Sequence, residues 1–331
     1  MRIGGRTRPF VGANGKPLAN SVAEARFLNI GGVDQWVMVR GRDAANPLLI
    51  VLHGGPGASA TALHRTSNAE LESAFTIVYW DQRGAGRSLT GAAKATSLTI
   101  DRLVEDLDAL IDAMREKFGK PKVALMGHSW GTALGTIYTS RSSVKVSAYV
   151  GIGQISNMAQ SEAESYAFAL AEAQRRGHRK ALQELQAMGP PPLAVPALMR
   201  QRRWLMALGG ALGPNLTLPK LLWRTMTAPE ATPLDVVRLV QGTNFSIRSL
   251  WAQMESIRLD RDNRRFDVPV FFLLGRLDKQ VVATLAADYF ERIEAPHKEL
   301  VWFEHSGHFV PFEEPAKFNT TLIERVRPFA V

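Results

Sequence analysis

The spacing of hydrophobic residues changes along the chain, and these changes predict the order of its strands and helices. Eight short segments have the alternating or nearly continuous apolar pattern of β-strands, and the third and fourth resemble strands buried on both faces of a sheet. The segments are ARFLNI (25–30), QWVMVRG (35–41), PLLIVLH (47–53), FTIVYW (75–80), KVALMG (122–127), KVSAYVGI (145–152), VPVFFLLG (268–275) and KELVWFE (298–304).

Between these segments, apolar residues recur at spacings of three and four, which predicts amphipathic helices. The clearest helix covers 98–119, with Thr99 or Ser97 as its N-cap and GKP (119–121) as its end. Further helices are predicted at 131–141, 284–292 and 315–326. Because strands and helices alternate, we expect right-handed crossovers and a mostly parallel sheet flanked by helices, which is an α/β fold.

This alternation stops between residues 155 and 262, where the chain is helical or loop-like and contains proline-rich breakers. We therefore predict a core formed by 1–154 and 263–331, with residues 155–262 inserted after the sixth strand as a helical cap. The apolar stretch 193–213 suits either an amphipathic lid over an apolar pocket or packing inside the cap.

A serine stands at a sharp corner of the predicted core. In ALMGHSWGTALG (124–135), Ser129 ends a buried strand and precedes a helix, with Gly127 and Gly131 on either side. Glycine has no Cβ, so strand and helix can approach closely around a strained nucleophile. The helix N-terminus also favours developing negative charge. The pattern predicts a nucleophilic serine, and a helix-capping serine between loop glycines is the alternative.

A nucleophilic serine needs a base and an acid, and the order along the chain favours His308 and Asp278. Both follow later strands of the predicted sheet, at the edge where parallel sheets hold their ligands. His305 and Asp288 are the weaker candidates. In the predicted reaction, His308 accepts the Ser129 proton, Asp278 orients the imidazole, and water hydrolyses the acyl-enzyme.

The loop HGGPG (53–57) follows the third predicted strand, where such a fold supplies an oxyanion donor. We predict that the Gly55 amide acts together with the amide of Trp130, the residue after the nucleophile. A plain glycine turn is the alternative. We expect His53 to form hydrogen bonds within this loop and His128 to pack beside the site.

The segment DQRGAGRS (81–88) ends the fourth strand in a glycine-rich loop. Asp81 and Arg83 are candidates to pair and brace the site, and the favoured alternative is a purely structural turn.

Composition narrows the class of function. The 331 residues are 46% hydrophobic and 21% charged, which is ordinary for a globular protein. Lys and Arg outnumber Asp and Glu by 40 to 31, giving a net charge of +9. The densest basic segments, 174–180 and 200–204, lack an interleaved aromatic platform. We interpret them as solvated surface and expect no nucleic-acid partner.

The chain has no cysteine, which excludes disulfides and thiolate catalysis. Its seven histidines show no paired ligand spacing, so we predict no metal and no cofactor. No apolar run reaches about 18 residues and the N-terminal segment lacks a secretory apolar region, so we predict no integral membrane segment and a cytoplasmic location. The expected partner is a small-molecule or short-peptide substrate.

The motifs HGGPG, DQRGAGRS, GHSWGT, GRLD and SGHF, in this order and spacing, resemble the proline iminopeptidase group of α/β-hydrolases. The resemblance covers roughly residues 25–153 and 265–330. It implies a triad of Ser129, Asp278 and His308, with the oxyanion donors named above. One departure is the elbow, since proline iminopeptidases usually have Gly-Gly-Ser-Trp-Gly-Ser where this chain has GHSWGT.

Proline iminopeptidases bind the free amine of the substrate through cap glutamates. The candidates here are Glu162, Glu164 and Glu255, together with Trp251, and for each the alternative is a structural role. The resemblance therefore predicts an aminopeptidase-like serine hydrolase. The other prediction is a carboxylesterase or amidase with an apolar acyl pocket.

The sequence excludes some of the other functions known for this fold and leaves others open. Epoxide hydrolases and haloalkane dehalogenases use an aspartate nucleophile, whereas position 129 is serine. Cofactor-independent dioxygenases and lyases keep the triad, so the sequence leaves them open. A non-enzymatic binding module would show a degraded triad, and these motifs are intact.

Overall fold

Among residues 7–91 and 98–331, which the computed structural model describes, eight strands form one sheet. The strands are β1 (Val22–Ile30), β2 (Val33–Gly41), β3 (Leu48–Leu52), β4 (Thr76–Trp80), β5 (Val123–His128), β6 (Val146–Ile152), β7 (Val270–Gly275) and β8 (Lys298–Phe303). Their order across the sheet is β1-β2-β4-β3-β5-β6-β7-β8. Strand β2 is antiparallel to β1 and β4, and the other neighbours are parallel, so the predicted strands and sheet type are confirmed.

Helices join the strands and cover the sheet. They are α1 (Thr61–Ser67), α2 (Ile100–Phe118), α3 (Trp130–Arg141), α4 (Met158–Arg175), α5 (Arg179–Met188), α6 (Val195–Ala207), α7 (Leu218–Thr227), α8 (Pro233–Glu255), α9 (Leu259–Asp262), α10 (Ala283–Arg292), α11 (Val310–Glu313) and α12 (Pro315–Thr321). The four predicted core helices are confirmed as α2, α3, α10 and α12, and a π-helical turn, Leu322–Val326, continues the last of them.

The ends of α2 show how local sequence sets helix bounds. Thr99 accepts a hydrogen bond from the Arg102 amide at 3.1 Å, which satisfies one of the free donors of the first turn. Gly119 ends the helix in the left-handed conformation, with φ of 60°. The second predicted cap, Ser97, lies outside the described residues.

Alternate residues of the central strands face opposite sides of the sheet. In β3, Ile50 packs in the same apolar cluster as Leu107 of α2, whereas Leu49 packs in a second cluster with Phe318 of α12. Helices on both faces therefore bury this strand completely, which explains its continuous apolar sequence.

The connection between β6 and β7 consists of helices α4 to α9. Helices α4, α5 and α6 form a small apolar cluster of their own, in which Tyr166 and Leu185 meet Trp204 and Leu205. Part of the stretch 193–213 packs in this cluster, whereas Leu193 and Leu198 join the main core cluster, and none of its residues lines the cavity described below. In the described ranges, no helix combines the length and apolar character needed to cross a membrane.

Candidate active site

Ser129 occupies a strained turn between β5 and α3. Its φ and ψ are 54° and −120°, and it is the one non-glycine residue with positive φ among those described. A Cβ on Gly131 would lie 2.0 Å from the Leu52 carbonyl oxygen, and one on Gly127 would lie 2.5 Å from the Gly131 oxygen. Both glycines are therefore required by close backbone approach.

The side chain of Ser129 makes no capping hydrogen bond to the described part of α3, which argues against the alternative that it serves only as a helix cap. The Ser129 amide donates to the Ile152 carbonyl at 2.9 Å and ties the turn to β6. The hydroxyl thus lies at the helix N-terminus without a hydrogen bond to any residue that the structure describes.

His308 and Asp278 come together at the ends of two neighbouring strands, 30 residues apart in sequence. Nδ1 of His308 lies 2.7 Å from Oδ2 of Asp278, and both side chains are buried. The other carboxylate oxygen of Asp278 accepts the amides of Gln280 at 2.8 Å and Val281 at 3.0 Å. These bonds fix the carboxylate, which in turn orients the imidazole.

Ser129 and His308 line one cavity of about 280 Å³. Helices α7 and α8 cover it, and Leu218, Leu221, Leu222 and Leu239 supply much of its wall. The other lining residues are Gly54, Gly55, Ala58, Ser59, Ala60, Leu63, His128, Thr225, Thr243, Gln280, Phe309 and Phe312. No carboxylate lines this cavity among the described residues, so its wall is apolar with a few neutral polar groups.

Both predicted oxyanion donors lie at this site. Gly55, with φ of 114°, lines the cavity, and Trp130 follows Ser129 at the start of α3. A Cβ on the neighbouring Gly54 would stand 3.1 Å from that of Ser129, so the loop runs beside the serine. Within the described chain, the Gly55 and Trp130 amides have no hydrogen-bond acceptor. They remain available for a ligand oxygen.

Gln82 joins the two loops that carry these amides. Its Oε1 accepts the indole N–H of Trp130 at 3.0 Å, and its Nε2 donates to the His53 carbonyl at 3.2 Å. Gln82 was not among the predicted site residues, although it lies in the segment 81–88. The only signal for it was its position directly after a strand end.

Two histidines beside the site are buried and neutral. His53 places Nδ1 2.9 Å from the Gly54 carbonyl and accepts the Gln82 amide on Nε2 at 3.2 Å, which confirms the expected bonding within this loop. Burial lowers the pKa of His53 to about 4. His128 donates from Nε2 to the His308 carbonyl at 2.8 Å, and burial lowers the pKa of His128 to about 3.

The predicted pairing of Asp81 with Arg83 is wrong. Arg83 instead forms a two-point ion pair with Asp106 of α2, at 2.7 and 2.8 Å. Asp81 accepts the Ser59 hydroxyl at 2.5 Å and the Arg87 amide at 2.8 Å, and burial raises the pKa of Asp81 to about 6. Hydrogen bonds from Ser59 and from its own loop satisfy Asp81, while Arg83 pairs with a residue of a helix.

The weaker candidates for base and acid lie away from the cavity. His305 and Asp288 are not among its lining residues, and His305 is exposed. His308 and Asp278 are therefore the histidine and aspartate that the structure brings together near Ser129. The described residues contain no cluster of three metal-ligating side chains.

The predicted substrate-binding residues of the helical connection do not line the cavity. Glu162 is buried in an ion pair with Arg202, Glu164 is exposed, and Glu255 ends α8. Trp251 is buried and donates its indole N–H to a backbone carbonyl at 3.0 Å. Their role in substrate binding stays a prediction.

Comparison with known proteins shows the family. The model of the family described as "Serine aminopeptidase, S33" matches residues 43–315, so the chain belongs to this family of α/β-fold hydrolases. The resemblance inferred from the motifs is thereby confirmed.

Two relatives extend over nearly the whole chain. A probable aminopeptidase, YbaC, of Bacillus subtilis (strain 168) is 30% identical over 315 residues, which are 94% of this chain and 98% of the relative. A proline iminopeptidase of Thermoplasma volcanium is 24% identical over 312 residues, covering 92% of this chain and 97% of the relative.

A crystal structure of a proline iminopeptidase-related protein from Thermus thermophilus has the same fold. It superposes with a TM-score of 0.67 at 21% sequence identity, covering 94% of this chain and all of the other.

Proposed function

We propose that the protein hydrolyses an ester or amide bond through an acyl-enzyme, with Ser129 as nucleophile, His308 as general base and Asp278 as the residue that orients it. One observation carries the proposal. The strained Ser129 and the Asp278-bound His308 line the same cavity. Membership of a serine aminopeptidase family supports it.

The proposed reaction assigns each proton to a named atom. Oγ of Ser129 attacks the substrate carbonyl carbon while its proton passes to Nε2 of His308. The amides of Gly55 and Trp130 stabilise the oxyanion. The tetrahedral intermediate collapses, and the leaving group departs with the proton from His308. Water then attacks the acyl-enzyme and gives a proton to His308, which returns it to Oγ of Ser129 as the bond between Oγ and the acyl carbon breaks and the acid product leaves.

The lining of the cavity supports a small apolar acyl group as substrate. Leucine side chains of α7 and α8 and the ring of Phe312 form its wall, and these helices belong to the connection between β6 and β7. We propose that residues 155–262 act as the cap of the site. The names of the relatives support an aminopeptidase, and one of them supports the release of an N-terminal proline.

A carboxylesterase or amidase is the second candidate, and one observation favours it. The described cavity lining contains no carboxylate to bind a protonated amine. Three acidic side chains line a neighbouring cavity of about 50 Å³, where Glu230 is paired with Arg65 and Asp235 with Arg87. The third, Asp81, accepts hydrogen bonds from the Ser59 hydroxyl and the Arg87 amide. Ion pairs or hydrogen bonds therefore already engage all three carboxylates.

Initial rates on three chromogenic substrates separate the two candidates. They are proline p-nitroanilide, its N-acetyl derivative and p-nitrophenyl butyrate, with Ser129→Ala as the blank. An aminopeptidase turns over the free anilide and loses activity when the amine is acetylated. Turnover of the butyrate ester alone supports the esterase. Full activity of Ser129→Ala on any of them would refute the proposed mechanism.

A further inference from the structure

A buried carboxylate, Glu313 of α11, lies behind the loop that carries His308. Its side chain accepts three backbone amides, from Gly307 at 2.7 Å, Gly213 at 2.9 Å and Phe309 at 3.1 Å. Gly307 and Phe309 are the two neighbours of His308 in the chain. Glu313 thus holds the backbone on both sides of the proposed base, and its third bond reaches the helical connection.

The helical connection meets the same loop through its backbone. The His308 amide donates to the Ala211 carbonyl at 2.8 Å. A Cβ on Gly307 would stand 2.5 Å from that carbonyl oxygen, and one on Gly213 would stand 2.3 Å from the His305 oxygen and 2.4 Å from Oε2 of Glu313. The contact is therefore close backbone packing that admits no side chain on either glycine.

The carboxylate of Glu313 is only 6% exposed, and no lysine or arginine among the described residues forms an ion pair with it. Burial raises the pKa of Glu313, while the three amides and the neighbouring His308 favour the ionised form. The other titratable side chains against His308 are Asp278 and the neutral ring of His128.

We propose that Glu313 is a positioning residue: it fixes the backbone of His308 against residues 211–213 of the helical connection, and its charge favours the protonated imidazole during the reaction. The inference rests on the proposed function, since it assumes that His308 is the base. It adds a second carboxylate, besides Asp278, that acts on this histidine.

If the charge of Glu313 acts on His308, removing that charge changes the pH dependence of the rate. Loss of support for the loop backbone alone would not change it. Removing a nearby negative charge makes the protonated imidazole less favourable. The acid limb of the kcat/KM profile reports the pKa of the base in the free enzyme. That limb therefore moves to lower pH when the carboxylate becomes an amide.

The test compares Glu313→Gln with Glu304→Gln. Glu304 lies on the same loop, but it is exposed and paired with Arg276, so the control removes an equal charge from a solvent-screened position. Rates are measured from acid to neutral pH on whichever chromogenic substrate the wild type cleaves, and active-site titration corrects for misfolded protein.

For Glu313→Gln we expect kcat to fall about 10-fold to 100-fold with little change in KM, and the acid limb to move down by about half a pH unit or more. Glu304→Gln should leave both unchanged. Rates within about twofold of the wild type, an unmoved limb, or an equal effect of Glu304→Gln would each overturn the proposal.

A second variant changes the residue of the helical connection that contacts Glu313. Gly213→Ala places a Cβ against Glu313 without removing its charge, so we expect a lower kcat per active site. An unchanged kcat would contradict the coupling of residues 211–213 to His308, even if Glu313→Gln does not fold. Failure of the proposed function gives a different result, because Ser129→Ala would then remain active whatever Glu313 does.

Discussion

Gly131 lies so close to the preceding strand that a Cβ on it would stand 2.0 Å from the carbonyl oxygen of Leu52. This approach brings the start of α3 against β3 and fixes the turn that holds Ser129. We predict that Gly131→Ala destabilises the protein by about 3 kcal/mol or more, since backbone cannot yield as a flexible side chain does.

Denaturant unfolding measures this effect, with Gly91→Ala as the control. Apart from its chain neighbours, no atom of the described residues lies within 4 Å of a Cβ placed on Gly91, so that variant should unfold within about 0.5 kcal/mol of the wild type. A Gly131→Ala protein as stable as the control would mean that the elbow is not tightly packed.

Asp278 should be needed for turnover and not for folding. In Asp278→Asn the amide cannot stabilise the imidazolium, so we predict a fall in kcat of about 10²-fold to 10⁴-fold with KM little changed. Asp288→Asn is the matched control, because Asp288 lies on α10 away from the cavity and should be dispensable. Equal activity of the two variants would remove Asp278 from the mechanism.

The ion pair of Arg83 with Asp106 is buried, and breaking it should be costly. Arg83→Ala leaves the Asp106 carboxylate without its cation, so we predict a loss of about 3–5 kcal/mol in the free energy of unfolding. Arg141→Ala removes an exposed pair with Asp101 and should change stability by less than about 1 kcal/mol. Similar losses in the free energy of unfolding for both variants would show that burial does not determine how much an ion pair stabilises the protein.

Stability should fall below neutral pH because of buried neutral histidines. Burial lowers the pKa of His64 to about 4 from its ordinary value of 6.5. The unfolded chain therefore binds more protons between these values, so this contribution is present above pH 6.5 and is lost as the pH falls towards 4.

His64→Gln should flatten that dependence. Between about pH 7 and pH 5, we predict that the wild type loses about 2 kcal/mol more than the variant, because the other histidines act equally in both. Denaturant unfolding at the two pH values gives the comparison. Identical losses would show that His64 is already protonated in the folded state or that its pKa is ordinary.

Strands and long helices could be predicted because their apolar pattern follows burial. The continuous apolar run of β3 reflects helices on both faces, and the spacing in α2 reflects one buried face. Helices α1 and α11 were not predicted, since seven and four residues are too few to show a period.

Side-chain partners across the fold were harder to predict. The spacing of Asp81 and Arg83 suggested a pair, but Arg83 reaches Asp106 in a helix whose position the sequence does not reveal. The cavity wall is formed by α7 and α8, and not by the apolar stretch 193–213 or by the predicted glutamates. The pattern of apolar residues along the chain predicts where strands end. The position of the inserted helices depends on tertiary packing, which this pattern does not reveal.

The central claim is that Ser129 is the nucleophile, and covalent labelling tests it most directly. After incubation with a fluorophosphonate, mass spectrometry of the intact protein and its peptides should show one adduct, located on Ser129, with activity lost in proportion to labelling. Ser129→Ala should take up no label and have no activity. Labelling of another residue, or activity that survives complete modification of Ser129, would contradict the account.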